Sequence, residues 1–128
     1  LLSSQIGNAT VTVLHSKSKN IDEKIKSSDI VVSAIGKPYF LNHTDFKEGA
    51  VVIDVGIHRI LGKMEEINNG HKKICGDVDS EEVESIVRAI TPVPGGVGPM
   101  TVSMLLVNTI FRWHEHCGLS NSIKELLP

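Results

Sequence analysis

Two segments of this 128-residue chain are apolar almost from end to end: Ile30-Val31-Val32-Ser33-Ala34-Ile35, and Ala50-Val51-Val52-Ile53-Asp54-Val55-Gly56-Ile57. A strand with one wet face alternates apolar and polar side chains. Short, near-continuous apolar runs instead predict strands buried on both faces of a sheet. The first run stops at Gly36-Lys37-Pro38, a turn signal.

Helical patterns separate these runs from weaker strand patterns. Asn20 to Ser27 reads as a short helix, with Asn20 as N-cap, Asp22 and Glu23 in the first turn, and Ile21 and Ile25 on one face. Ser80 to Ala89 reads as a helix opening on Ser80-Glu81-Glu82-Val83. Pro99 to about Cys117 reads as a long helix with Pro99 in its first turn, and Ser120 to Leu127 as a terminal one. Thr10 to Leu14, Lys73 to Cys75 and Ile90 to Val93 are strand patterns. Strands alternating with helices imply α/β class: a Rossmann-like, doubly wound, mostly parallel sheet. Leu1 to Ser4 resembles a helix tail, and no G-x-G-x-x-G turn precedes the strand at Thr10. The sheet is therefore expected to be incomplete at its N-terminus.

Composition narrows the function classes. Hydrophobic residues make up 41% and charged residues 22%, which suits a folded domain. A net charge of −2 gives no electrostatic reason to expect nucleic acid or an anionic membrane as partner. No apolar run approaches the ~20 residues that span a bilayer. Leu1-Leu2 lacks a basic lead and a cleavage pattern, and without an initiator Met the N-terminus reads as cut. Cys75 and Cys117 have no metal or redox spacing. Reduced thiols point to the cytoplasm or the mitochondrial matrix.

The run Thr91-Pro92-Val93-Pro94-Gly95-Gly96-Val97-Gly98-Pro99-Met100-Thr101 makes a stiff, bare loop at the start of the long helix. Such a loop can present free N–H groups and a positive dipole end to a ligand, or serve packing alone. Gly96 to Thr101 partly imitates a dinucleotide turn, but lies too late in the chain with no strand after it. The long helix is apolar nearly all round at Met104 to Val107, Ile110, Phe111 and Trp113. It is expected to pack on this sheet and on something further.

In a doubly wound sheet ligands lie beyond the carboxyl ends of the strands. Those ends are His15-Ser16-Lys17, Ala34-Ile35-Gly36, Val55-Gly56-Ile57 and the Pro/Gly loop. After the strand at Thr10, an acid would bind both ribose hydroxyls of NAD. Hydroxyls and two lysines stand there instead and suit the 2′-phosphate of NADP, with a solvated polar loop as the equal alternative. His114 and His116 lie two apart, about 200° around a helix axis, so they do not chelate one ion; a solvated helix end is the better reading. His43, His58 and His71 have no partner in sequence and default to surface or loop roles. Asp54, Asp77 and Asp79 read first as turn and cap acids, and Lys37 as an ordinary turn lysine.

Taken together, the Pro/Gly run, Ala9-Thr10-Val11-Thr12, His15-Ser16-Lys17, Asp29-Ile30-Val31-Val32, Ile35-Gly36-Lys37-Pro38, Val52 to Ile57 and Gly76-Asp77-Val78-Asp79 resemble the methylenetetrahydrofolate dehydrogenase/cyclohydrolase family. The resemblance covers most of the chain, with several motifs in order. It implies oxidation of 5,10-methylenetetrahydrofolate with NADP, hydrolysis of the methenyl product to 10-formyltetrahydrofolate, and a homodimer. It places Ser16 at the 2′-phosphate, with His15, Ala34, Ile35 and Gly36 bordering the nucleotide. Val55, Gly56 and Ile57 would meet the nicotinamide side, Thr101 the cofactor, and Gly98 and Pro99 the folate. Residues 1–128 would be a partial NAD(P)-binding domain whose helices from about 99 to 128 pack on an N-terminal folate domain. That domain would carry the catalytic lysine and its nearby tyrosine, so no catalytic residue is assigned in this chain. The alternatives are a non-catalytic nucleotide-binding or subunit-pairing module, and a different Rossmann dehydrogenase.

Overall fold

The computed structural model describes residues 7–61 and 72–118. Helix α1 (Ile21–Lys26) leads into strand β1 (Ile30–Ser33), a 3₁₀ turn (His43–Asp45) and β2 (Val51–Asp54). Strands β3 (His58–Leu61) and β4 (Lys72–Cys75) follow, then α2 (Ser80–Val83), β5 (Ala89–Ile90) and the long α3 (Val97–His116). Strands β1, β2 and β5 form a parallel sheet in that order, with Val31 opposite Val52, Ser33 opposite Asp54, and Val52 opposite Ile90. Strands β3 and β4 form a separate antiparallel pair that registers His58 with Cys75. The Rossmann-like α/β class holds, with the antiparallel pair set beside its parallel strands.

The register sorts the side chains. Val31, Val52 and Ile90 face the core with Ile25 of α1, Leu41, Phe46, Val78 and Val83 of α2. Val52 and Val83 are fully buried, and each side chain of that size contributes about 1.5–3 kcal/mol over leaving it exposed. Further along the same face come Ser33 and Asp54, also buried. The core face is thus apolar at the start of the strands and polar at their carboxyl ends.

The opposite face departs from the expectation of strands buried on both sides. Ile30 and Val32 are 60% and 56% exposed, and Ile53 is half-buried. Continuous apolarity in β1 therefore marks a face that the described residues leave uncovered.

Other boundaries also shift. Thr10 to Leu14 is not a strand: Val11 and Val13 are exposed, and only Leu14 leans on the core. Strand structure requires a hydrogen-bonded neighbour, and among the described residues this segment has none. The helix expected over Ser80 to Ala89 is the single turn α2, and the strand expected over Ile90 to Val93 is Ala89–Ile90. Asn20 precedes α1 in a left-handed conformation (φ 54°) and donates to Glu23 from its side chain rather than capping a backbone N–H. The patterns at Leu1 to Ser4 and Ser120 to Leu127 lie outside the described residues, as does His71.

Candidate nucleotide site at the carboxyl edge of the sheet

The parallel ladder brings the ends of β1 and β2 side by side. The Val55 N–H donates to the Ser33 carbonyl at 2.9 Å, continuing the sheet one step past β2. Ala34, Ile35 and Gly36 then leave β1 exposed, and Gly36 turns with φ +79°, a conformation glycine adopts freely. Val55 and Ile57 are likewise exposed, whereas Gly56 is buried.

Two carboxylates fix these ends. Asp54 accepts N–H bonds from Gly56 (2.8 Å) and Asp77 (3.1 Å) on Oδ1 and from Val78 (2.9 Å) on Oδ2. The Asp54 N–H itself donates to Thr91 Oγ1 at 2.8 Å, which ties β2 to the chain just past β5. Asp77, with no exposed surface, accepts the Ile35 and Gly36 N–H groups on Oδ2 at 2.6 and 3.1 Å, and that of Lys37 on Oδ1 at 3.0 Å. Ser33 Oγ reaches Oδ2 at 3.3 Å and His58 Nε2 reaches Oδ1 at 2.7 Å. Burial alone would raise the Asp77 pKa. The bonds from His58, Gly36, Ile35 and Lys37 outweigh it and hold the group below the usual carboxylate range.

The glycines around this pair leave room for it. A Cβ on Gly56 would lie 2.5 Å from the Asp77 carboxyl carbon, and one on Gly76 would overlap the Asp54 carboxylate. The expectation that His58 is an isolated surface histidine is thus corrected: β3 carries it to a buried partner 19 residues away, and its side chain is 18% exposed. His43 also has a partner, the exposed Glu82 at 3.0 Å. Asp54 and Asp77 keep the turn roles expected of them, but at long range. The signals available in sequence were an acid closing an apolar strand two residues before a glycine, and a Gly-Asp pair just after another strand.

The Pro/Gly loop joins β5 to α3. Gly95 has φ +106°, and the Gly96 N–H returns to the Pro92 carbonyl at 2.9 Å. Among the described residues no side chain caps α3, so the first N–H groups of a 20-residue helix are left without a side-chain acceptor at its start. Between this start and β2 lies an open, mainly apolar cleft of about 790 Å³, with Ile53, Thr91, Gly96, Thr101, Met104 and Asn108 among its walls. Thr101 lines it while its hydroxyl donates back to the Val97 carbonyl at 2.9 Å. Gly98 and Pro99 are exposed in the same first turn but do not line the cleft. A second hollow of about 170 Å³, sharing Thr91 with the cleft, has Tyr39, Asp54 and Cys75 among its walls. Burial, then the neighbouring Cys75, raises the Tyr39 pKa there.

His15 and Ser16 occupy an exposed turn closed by Ser18 N–H to the His15 carbonyl (2.8 Å), with the His15 N–H on Ser18 Oγ at 3.0 Å. Among the described residues no hydrogen bond joins this turn to the other strand ends. The structure therefore brings Ala34 to Gly36 together with Val55 to Ile57, puts Thr101 in a cleft that none of those six residues lines, and leaves His15 and Ser16 on a separate exposed turn.

Residues 1–117 match the family described as tetrahydrofolate dehydrogenase/cyclohydrolase, NAD(P)-binding domain. The bifunctional protein FolD of Prochlorococcus marinus (strain MIT 9211) is 52% identical over 124 residues, covering 97% of this chain and 41% of the relative. The chain thus spans about two-fifths of the length of the curated relatives it matches. Among solved structures, the bifunctional FolD enzyme of Campylobacter jejuni aligns at 46% identity with a TM-score of 0.68, over 80% of this chain and 33% of the other. The Trypanosoma brucei methylenetetrahydrofolate dehydrogenase-cyclohydrolase, solved with NADP cofactor and inhibitor, aligns at 44% identity with a TM-score of 0.67, over 80% and 34%.

Proposed function

Because the chain belongs to the tetrahydrofolate dehydrogenase/cyclohydrolase family through its NAD(P)-binding domain, we propose that it holds NADP for oxidation of 5,10-methylenetetrahydrofolate. The full-length protein then hydrolyses the methenyl product, and both steps belong to one-carbon metabolism. The observation that carries this reading is the convergence at one sheet edge of Ala34 to Gly36, Val55 to Ile57 and the uncapped start of α3, beside an apolar cleft with few polar groups. A flat aromatic ring with a polar handle fits such walls.

The residues present suit NADP. Ser16 offers a hydroxyl and Lys17 and Lys19 offer cations for the 2′-phosphate, with His15 beside them. Exposed Ile35, Gly36, Val55 and Ile57 give apolar and backbone surface beside the buried Gly56, and Thr101 lines the neighbouring cleft at the start of α3. The bound cofactor supplies hydride acceptance; the chain supplies position and the exclusion of water. On this reading Gly98 and Pro99, exposed on the first turn of α3 and outside the cleft, border the folate. The apolar α3 covers itself on a preceding folate domain that carries the catalytic lysine, and the assembly is a homodimer through nucleotide domains.

The test is NADPH formation by the full-length protein that depends on methylenetetrahydrofolate, with NADP preferred over NAD. Ser16→Asp should weaken NADP by about tenfold or more, the worth of one charge-assisted hydrogen bond plus a new repulsion. Equal use of both cofactors, or no loss on that substitution, would sink the 2′-phosphate assignment. The exposed apolar surface of α3 also favours a second reading, a subunit-pairing module without catalysis. A full-length protein that binds NADP and shows no folate-dependent turnover would select it.

A further inference from the structure

Three successive N–H groups, on Ile35, Gly36 and Lys37, point at one place. With Gly36 left-handed, they form the kind of concave backbone nest that binds anions. At the carboxyl edge of an α/β sheet such a nest would ordinarily invite a ligand phosphate. Here it is already filled, from within the fold, by the Asp77 carboxylate. The same carboxylate also has Ser33 Oγ near Oδ2 at 3.3 Å and His58 Nε2 on Oδ1 at 2.7 Å, so all five partners converge on a group without solvent contact.

The anchor is itself anchored. Asp54 holds the N–H groups of Asp77 and Val78, and the Asp54 N–H is held by Thr91. The chain of contacts thus runs from the segment after β5, through the end of β2, to the turn after β1. Every link lies on the edge where the cofactor is proposed to lie, yet the carboxylate itself is shielded by the turn it holds.

We propose that Asp77 is the positioning residue for the Ile35–Lys37 turn: its carboxylate is the resident anion of the nest, so NADP meets the outer, exposed side of that turn rather than its N–H groups. The cofactor clause rests on the function proposed above; the clause about the turn does not. His58 Nε2 holds the same oxygen, Oδ1, that accepts the Lys37 N–H.

The experiment uses the full-length protein with Asp77→Asn and two readouts. The first is amide hydrogen exchange at Ile35, Gly36 and Lys37 without cofactor; the second is steady-state kinetics with NADP varied. An amide side chain offers the nest one neutral acceptor and places two donors against it. The three amides should exchange about tenfold faster or more, and KM for NADP should rise by about tenfold, with kcat within about threefold and KM for the folate unchanged. A loss of folded fraction alone would lower apparent kcat and leave KM in place, so the split separates positioning from mere stability.

If Asp77→Asn does not fold, His58→Leu removes one bond from the same carboxylate and leaves the turn intact, and a rise of about threefold in both readouts is expected. Wild-type exchange and wild-type KM in whichever variant folds would overturn the proposal. A wild-type protein that binds no NADP would overturn the functional reading and the cofactor clause with it, while the exchange rates still decide whether Asp77 holds the turn.

Discussion

Asp54 and Asp77 show how two buried acids can organise a sheet edge. Each accepts backbone N–H groups from a segment distant in sequence, and each needs a glycine beside it because no side chain fits. Gly76 is the tighter position. A methyl there must displace the Asp54 carboxylate, which would orphan the Asp77 and Val78 N–H groups. Gly76→Ala should therefore destabilise the full-length protein by about 2–4 kcal/mol, combining overpacking with lost charged hydrogen bonds, as read by denaturant midpoint at constant m. A midpoint shift equal to that of an exposed Gly→Ala change would count against this packing. Acid offers a second probe. The Asp77 pKa is depressed in the fold, so its contribution is fully present above the unfolded value of about 3.9 and is lost as pH falls through the folded value below that. Stability should decline below about pH 4, and Asp77→Asn, if folded, should flatten that decline. An unchanged acid limb would show that the carboxylate is not held in its charged form.

At the scale of elements, the sequence disclosed what depends on local pattern and withheld what depends on partners. Strand β2 and helix α3 were legible because apolar runs and a Pro/Gly start are local signals. Thr10 to Leu14 has strand composition but no ladder among the described residues, and β3 was missed because His58-Arg59-Ile60-Leu61 becomes a strand only through β4. The capping box of the 3₁₀ turn, where Asn42 accepts from the Thr44 N–H and Asp45 from the Asn42 N–H, was likewise unread. The hub residues follow the same rule: Asp77 lies about 40 residues from the turn it holds. The packing of α3 on this sheet that its all-round apolarity led us to expect is not seen among the described residues. None of its residues is buried, and Val102, Leu105, Leu106 and Trp113 are all more than half exposed. Leu105→Lys tests what covers it. In the full-length protein the change should cost about 2–3 kcal/mol by burying an ammonium, whereas in the 128-residue chain it should be near neutral and reduce self-association. Equal small effects in both, measured by denaturation and sedimentation, would mean that this face of α3 stays wet.

The described residues supply a sheet edge, a fixed turn, a cleft and an uncapped helix start, which are means of binding and orienting. They do not place a lysine in that cleft: Lys73 lies in the smaller hollow within reach of Glu81, and Lys37 lies over the Phe40 ring at 5.3 Å. Orientation can lower a barrier only when the second reactant is held against the first. A folate held on one side, by Gly98 and Pro99 alone, would lack that constraint and any acid or base for the hydrolytic step. The purified 128-residue chain should therefore give neither methylenetetrahydrofolate-dependent NADPH formation nor methenyltetrahydrofolate hydrolysis above the uncatalysed rate. It should retain weakened NADP binding, because ligand affinity falls by the fraction of molecules in the competent state, and the open apolar faces of β1 and α3 lower that fraction. Calorimetry with NADP on this chain and on the full-length protein reads both expectations. Turnover by the isolated chain would refute the division of labour between cofactor domain and lysine domain. Undiminished NADP affinity would show instead that the sheet edge needs no support from the surfaces that α3 and β1 leave open.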